Sequence, residues 1–255
     1  LNSEHHMFLR NHIFAIIEHG DFSRAVREIK NSKNAQSKNF FEAKLILIVD
    51  SILEKNYFLA KDYIDQLKTF KEQGTFELII TEILESYINV FLNKRPFNFE
   101  NDFGTLTEIS RAFQQCYLES NDSSKIFLNI INSNNGDYSR YLFFYVNLLL
   151  NQGEINLARQ ISSTIDPLNS NILISQSKDW IENKKFYKFR EFFSCESEKD
   201  ILSEFFYIIG NLYSSQDLFI KSNFFLKLSN YLNPKFYFNN SLLAENYFYI
   251  KNYDK

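Results

Sequence analysis

The chain has 255 residues, of which 45% are hydrophobic and 23% charged, with a formal net charge of −3 and an isoelectric point near 5.9. That is ample apolar material for a core, and it excludes a whole-chain basic field that would draw in nucleic acid or an anionic membrane. Only 3 prolines and 6 glycines argue against disordered linkers and turn-rich β architectures.

The opening, Leu1-Asn2-Ser3-Glu4-His5-His6, has no apolar h-region and no initiator Met. The expectation is a chain that begins inside a longer protein or after processing, soluble in the cytoplasm or periplasm, with any targeting segment lost. The longest apolar stretch, Tyr141–Leu150, is interrupted by Asn147. It is about half of the ~20 residues that a bilayer span needs, so no transmembrane segment is expected.

Apolar periodicity predicts helices over 5–18, 22–32, 38–54, 57–71 and 76–93, then 105–120, 123–133, 138–151 and 155–165. Further helices follow over 170–182, 186–193, 199–214, 218–231 and 236–250. Asp137 and Ser197 read as N-caps, and no stretch alternates as a strand. Most connections are short, which makes neighbouring helices antiparallel. Pro96 removes a backbone donor, and the following Phe97–Asn101 is short and polar. Residues 93–104 are therefore expected to be the least regular junction.

A short pattern recurs: a polar break, an aromatic or aliphatic anchor, then a small residue three positions later. It reads Gly20-Asp21-Phe22 with Ala25, Lys55-Asn56-Tyr57 with Ala60, and Gly153-Glu154-Ile155 with Ala158. It returns as Gln216-Asp217-Leu218-Phe219 with Ser222 and begins again at Lys251-Asn252-Tyr253, with weaker copies at Ser123 and Phe186. Phe22 to Tyr57 is 35 residues, Ile155 to Phe186 is 31, Phe186 to Phe219 is 33 and Phe219 to Tyr253 is 34. Tyr57 to Ser123 is 66, or two units. A period near 34 with a helix on each side of a turn is the tetratricopeptide spacing.

The best copy resembles a tetratricopeptide repeat (TPR) position by position. Phe206, Ile209-Gly210 and Tyr213 match its first helix; Phe219, Ser222, Leu226, Ser229 and Pro234 match its second. Leu243-Ala244, Tyr247 and Tyr253 continue the pattern. The layout also resembles the envelope-associated TPR proteins of alphaproteobacteria. The resemblance implies an all-α protein, a right-handed α-solenoid of antiparallel helical hairpins forming one array over residues 1–255, truncated at both ends. Its hairpins fall near 5–32, 38–71, 76–104, 105–133, 138–165, 170–193, 199–231 and 236–255. It implies a non-catalytic scaffold presenting a concave groove to a protein or peptide. The alternative is the sensor array of a larger regulator whose effector domain lies outside this chain.

The family's groove positions fall on Arg140, Phe143 and Asn147, on Glu204, Tyr207 and Asn211, and on Phe238, Ser241 and Glu245. Aromatics with amides suit an extended or helical peptide. The competing reading is that Tyr207 or Phe143 packs against a neighbouring hairpin. The lysines that would join Asn211 in a carboxylate clamp are missing, so a chaperone C-terminal tail is not the expected ligand.

No metal or cofactor is expected. His5, His12 and His19 are spaced by seven, roughly 10 Å apart along a helix, too far to share one zinc. Phosphate-loop, HExxH and GxSxG motifs are absent, so the chain is not expected to be an enzyme. Cys116 and Cys195 lie 79 residues apart, form no CxxC, and are expected to be buried thiols. Lys184, Lys185, Lys188 and Arg190 interleave with Phe186, Tyr187 and Phe189 as a nucleic-acid surface would. The aromatics also sit at hairpin anchors, and the net charge favours a solvated repeat exterior. Two sequon matches, at Asn121 and Asn239, are expected by chance in an Asn-rich chain. The last helix carries Phe236, Phe238, Leu242, Leu243, Tyr247, Phe248 and Tyr249. Leu243, Ala244 and Tyr247 are expected to pack inward. The remainder should form an apolar patch, with self-association through that end.

Overall fold

The structure is a computed structural model, and it describes residues 3–32, 39–69, 74–133 and 139–250. Among them the protein is all-α, with no strand. The helices are α1 (Ser3–Glu18), α2 (Phe22–Asn31), α3 (Phe41–Leu53), α4 (Tyr57–Lys68), α5 (Thr75–Asn93), α6 (Thr105–Tyr117) and α7 (Ser123–Ile131). They continue with α8 (Arg140–Asn151), α9 (Ile155–Ser163), α10 (Ile172–Glu182), α11 (Tyr187–Phe192), α12 (Glu198–Ser214), α13 (Phe219–Leu232) and α14 (Asn240–Tyr249). The expected helix over 236–250 divides into a 3-10 turn, Tyr237–Asn239, and α14. No described helix is long and apolar enough to cross a membrane.

One closing turn is used six times among the described residues. After α1, the Gly20 N–H donates to the Ile17 carbonyl (2.8 Å) and the Asp21 N–H to the Ile16 carbonyl (3.2 Å). This pair of bonds satisfies the last helical carbonyls and reverses the chain. The same pair follows α3, α6, α8, α10 and α12. The residue at the bend has positive φ each time: Gly20 (79°), Lys55 (59°), Glu119 (54°), Gly153 (82°), Lys184 (56°) and Asp217 (59°). Side chains then start some of the next helices. Asp21 accepts from the Arg24 N–H (3.1 Å), and Asn56 from the Leu59 N–H (3.2 Å). Ser197 accepts from the Asp200 N–H at 3.3 Å near the start of α12; Asp137 lies outside the described residues.

The small residue three places past each anchor has a visible purpose. Ala25, Ala60, Ala158 and Ser222 are all fully buried, where a larger side chain would hold the packed helices apart. Each helix packs on its successor through α1–α5 and again through α6–α10; α1 also meets α3, and α8 meets α10. The exception to the hairpin rule is α5. It ends at Asn93 with Lys94 left-handed (φ 52°), and Pro96 follows. No helix forms until Thr105.

The chain divides into two compact units. The first comprises Leu1–Phe97, Leu202–Pro234 and Asn239–Lys255. Its later helices pack against its earlier ones. Phe14 meets Phe224 with ring centroids 5.0 Å apart, Phe22 stacks on Tyr231 (4.1 Å), Phe76 meets Tyr213 edge-on (4.8 Å), and Tyr87 lies 5.8 Å from Phe205. A Lys221–Glu77 ion pair (3.2 Å) flanks these rings, but partly exposed pairs of this kind contribute at most about 1 kcal/mol.

The second unit comprises Asn98–Ile201 and Lys235–Phe238. Its core is aromatic. Phe113 lies 5.5, 5.0 and 5.6 Å from Phe127, Phe144 and Phe193, and Trp180 stacks on Phe192 at 5.1 Å. The expectation that Phe236 and Phe238 would be left on the surface is overturned. Both are buried, with Phe236 against Phe143 (5.6 Å) and Phe238 against Phe192 (5.8 Å). Nor are the cysteines free thiols. Cys116 and Cys195 form a disulfide across a sequence separation of 79, with Cα atoms 5.6 Å apart. Closing so long a loop restricts the unfolded chain and stabilises the fold by about 4 kcal/mol in the chain-entropy picture.

The bend residues yield a prediction inside the second unit. A Cβ at Gly153 would meet no atom within 4 Å, so Gly153→Ala should cost about 1 kcal/mol through backbone strain alone. Lys184→Gly, at the equivalent bend, should be neutral or stabilising by up to about 1 kcal/mol. Urea titration followed by the fluorescence of Trp180 measures both.

Candidate functional site

The sequence-predicted groove residues divide between the two units. Arg140, Phe143 and Asn147 lie on α8, with Phe238 in the same unit. Phe143 is fully buried, stacked on Phe189 at 5.3 Å and edge-on to Trp180 at 6.4 Å. Asn147 is buried too, and its Nδ2 donates to the Phe193 carbonyl at 2.8 Å. Arg140 is half-buried, its guanidinium 5.1 Å from the Phe236 ring and 5.8 Å from Phe144. The structure therefore gathers Arg140, Phe143 and Phe238 around Phe236 as parts of a core. The cause is local: α8 is buried from Tyr141 through Leu149 except at Leu142, whereas a groove helix keeps one face bare.

In the first unit, Glu204 is buried and Tyr207 is half-buried. Tyr207 packs on the cluster of Leu226, Leu243 and Tyr247. Asn211, Ser241 and Glu245 are exposed. Ser241 and Glu245 share one face of α14 with Phe248 by their spacing of four and three residues. Phe248 is 64% exposed. Beside it Tyr249 stacks on Phe219 (5.5 Å), with Leu218 and Ile220 also exposed nearby in sequence. Leu218 and Ile220 were not singled out from the sequence, although the apolar run Leu218-Phe219-Ile220 opening α13 was the available signal. Leu243 and Tyr247 face inward as expected, while Ala244 is exposed.

Beneath this surface a polar network fixes α12, α13 and α14 together. Asn246 is fully buried. Its Nδ2 donates to Ser222 Oγ (2.7 Å) and Asn223 Oδ1 (2.8 Å), and its Oδ1 accepts from Ser214 Oγ (2.6 Å). Ser222 Oγ in turn donates to the Gly210 carbonyl at 2.7 Å. Gly210 is needed for closeness: a Cβ there would lie 2.9 Å from the Leu226 side chain. The second small position, Ser229, accepts from Asn239 Nδ2 (2.8 Å) at its hydroxyl, and its carbonyl accepts from Ser203 Oγ (2.9 Å).

Two phenols in this unit are held protonated by their surroundings. Burial, the bond donated to Glu18 and the Glu18 charge push the Tyr247 pKa far above its ordinary 10.0. Burial followed by the charges of Glu77 and Glu42 does the same to Tyr213. In the second unit, three of the four cations between the hairpin aromatics have a polar neighbour. Lys185 lies 3.5 Å from Asp179, Lys188 is 2.9 Å from Glu191, and Arg190 Nε donates to Asn151 Oδ1 at 2.6 Å. Such pairing weakens their offer to a polyanion.

The fold and surface so described define an all-α protein of successive helical hairpins. No family model, no curated protein and no solved structure matches the chain.

Two predictions follow from the network. Asn246→Ala removes three hydrogen bonds, two of them to the buried Ser222 and Asn223, and should cost about 2–3 kcal/mol, and Gly210→Ala should cost about 1–3 kcal/mol by forcing α12 from α13; chemical denaturation checks both. Tyr247, with its pKa raised on folding, contributes stability that is present below pH 10 and lost as pH rises above it. Tyr247→Phe should therefore cost about 1–2 kcal/mol at neutral pH and reduce the alkaline loss, read from melting curves between neutral and strongly alkaline pH.

Proposed function

We propose that this chain is a TPR-like helical-repeat scaffold that performs no chemistry and binds a protein or peptide partner. The supporting observation is the sixfold recurrence of one hairpin closure, at Gly20, Lys55, Glu119, Gly153, Lys184 and Asp217. A buried small residue follows it at the same offset in several copies. Hairpins of one geometry that stack on their neighbours form solenoids with extended binding surfaces, and here α13 also packs back on α1.

Among the expected groove positions, Asn211, Ser241 and Glu245 are exposed, and Tyr207 and Arg140 are half-buried. The partner surface is accordingly the exposed face of α14, Ser241, Glu245 and Phe248, together with Asn211 of α12. An aromatic ring with amide, hydroxyl and carboxylate groups fits a peptide that carries an apolar side chain and a basic one. Photo-crosslinking residues placed singly at Asn211 and Ser241 should capture the same polypeptide, while one at exposed Asp62 of α4 should not. Glu245→Lys should then weaken binding of that polypeptide tenfold or more by titration calorimetry. Equal capture from all three positions, or no effect of the charge reversal, would refute this surface.

A further inference from the structure

We infer that Cys116 and Cys195 are joined by exchange with a protein disulfide donor in an oxidising compartment, while the second unit is folding, and that the bond is structural and not a switch. The two cysteines are all that the chain has, and neither is free. Cys116 lies near the end of α6, and Cys195 lies in the segment between α11 and α12. Disulfides persist where the surroundings are oxidising and are rare where glutathione and thioredoxin keep thiols reduced.

The position of the bond separates a structural link from a regulatory one. Both residues are buried, at 5% and 7% exposure. Phe113, one turn before Cys116, and Phe193, two residues before Cys195, are fully buried and face each other at 5.6 Å. A redox-sensing cysteine needs a thiolate within reach of solvent, and both cysteines of this pair are buried. One non-covalent bond joins the same two segments, and two more fix the Cys195 segment to α12 and α8. Tyr117 Oη donates to Glu198 Oε1 at 2.7 Å, the Ser194 N–H donates to Asp200 Oδ2 at 2.9 Å, and Asn147 Nδ2 holds the Phe193 carbonyl at 2.8 Å. A closed unit would thus admit neither oxidant nor reductant, so the bond must form before closure.

The chemistry balances as a two-electron exchange. One cysteine thiolate, having lost its proton to water, attacks a sulfur of the donor's disulfide. This forms a mixed disulfide and releases the donor's first thiolate. The second cysteine thiolate then attacks the chain's own sulfur in the mixed disulfide. The intramolecular bond forms, the donor's second thiolate leaves, and the donor has become a dithiol.

The test uses the full chain from its source cells, quenched in acid and denatured with maleimide before any reductant is added. Intact mass should show no label, and two labels after reduction. The purified native protein should resist dithiothreitol until denaturant opens it. Two labels in the unreduced sample would overturn the oxidising compartment. Reduction of the native protein as fast as in denaturant would overturn the structural role, as would a labelled fraction that varies with oxidant supplied to the cells. The readout is thiol chemistry and is independent of any binding partner.

Discussion

The reversal of the chain at the end of a helix is the constraint on which the rest depends. Two backbone bonds and one left-handed residue close α1, α3, α6, α8, α10 and α12 in the same way. Because the bend is fixed, the helix that follows must fall back on the one before it. Residues at set distances from the bend then meet similar surroundings in four of the copies, at Ala25, Ala60, Ala158 and Ser222. That is why small residues recur three places past the anchor, and why Gly210 and Ser222 can lie backbone to side chain. Four of the six bends use Lys, Glu or Asp where glycine would be less strained, so the packing gained beyond the bend outweighs the strain at it.

Local closure produces hairpins, and non-local packing decides what they become. In the first unit, Phe205, Tyr213, Phe224 and Tyr231 of the late helices meet Tyr87, Phe76, Phe14 and Phe22 of the early ones. These rings bring much apolar area, together with edge and stacking preferences worth about 1 kcal/mol per pair. In the second unit the short segment Lys235–Phe238 supplies Phe236 and Phe238 to a core built by α6, α8, α10 and α11. Surfaces that a single hairpin would leave bare are thereby covered.

Polar residues were harder to assign than apolar ones. Asn147, Glu204 and Asn246 all read as hydrophilic, yet all are buried. Asn147 and Asn246 find backbone or side-chain hydrogen-bond partners inside the protein, which is the condition for tolerating an amide there. A periodic pattern records which face of a helix is apolar. It does not record whether a polar side chain on that face answers a distant carbonyl such as that of Phe193.

The sequence by itself determined the all-α class, the helix boundaries to within a few residues, the break after Asn93 at Pro96, and the positions of the hairpin bends. Each of these is set by interactions reaching no more than about five residues along the chain: helix hydrogen bonds, caps, the missing proline donor and the closing turn. The tertiary structure alone decided that Phe143, Asn147, Glu204 and Phe238 are interior, that Phe236 enters an aromatic core, and that Cys116 meets Cys195 across 79 residues. Those outcomes depend on which distant segments meet. Pairing between remote segments is selected by summed burial and shape over many residues, and no spacing within a single helix encodes it.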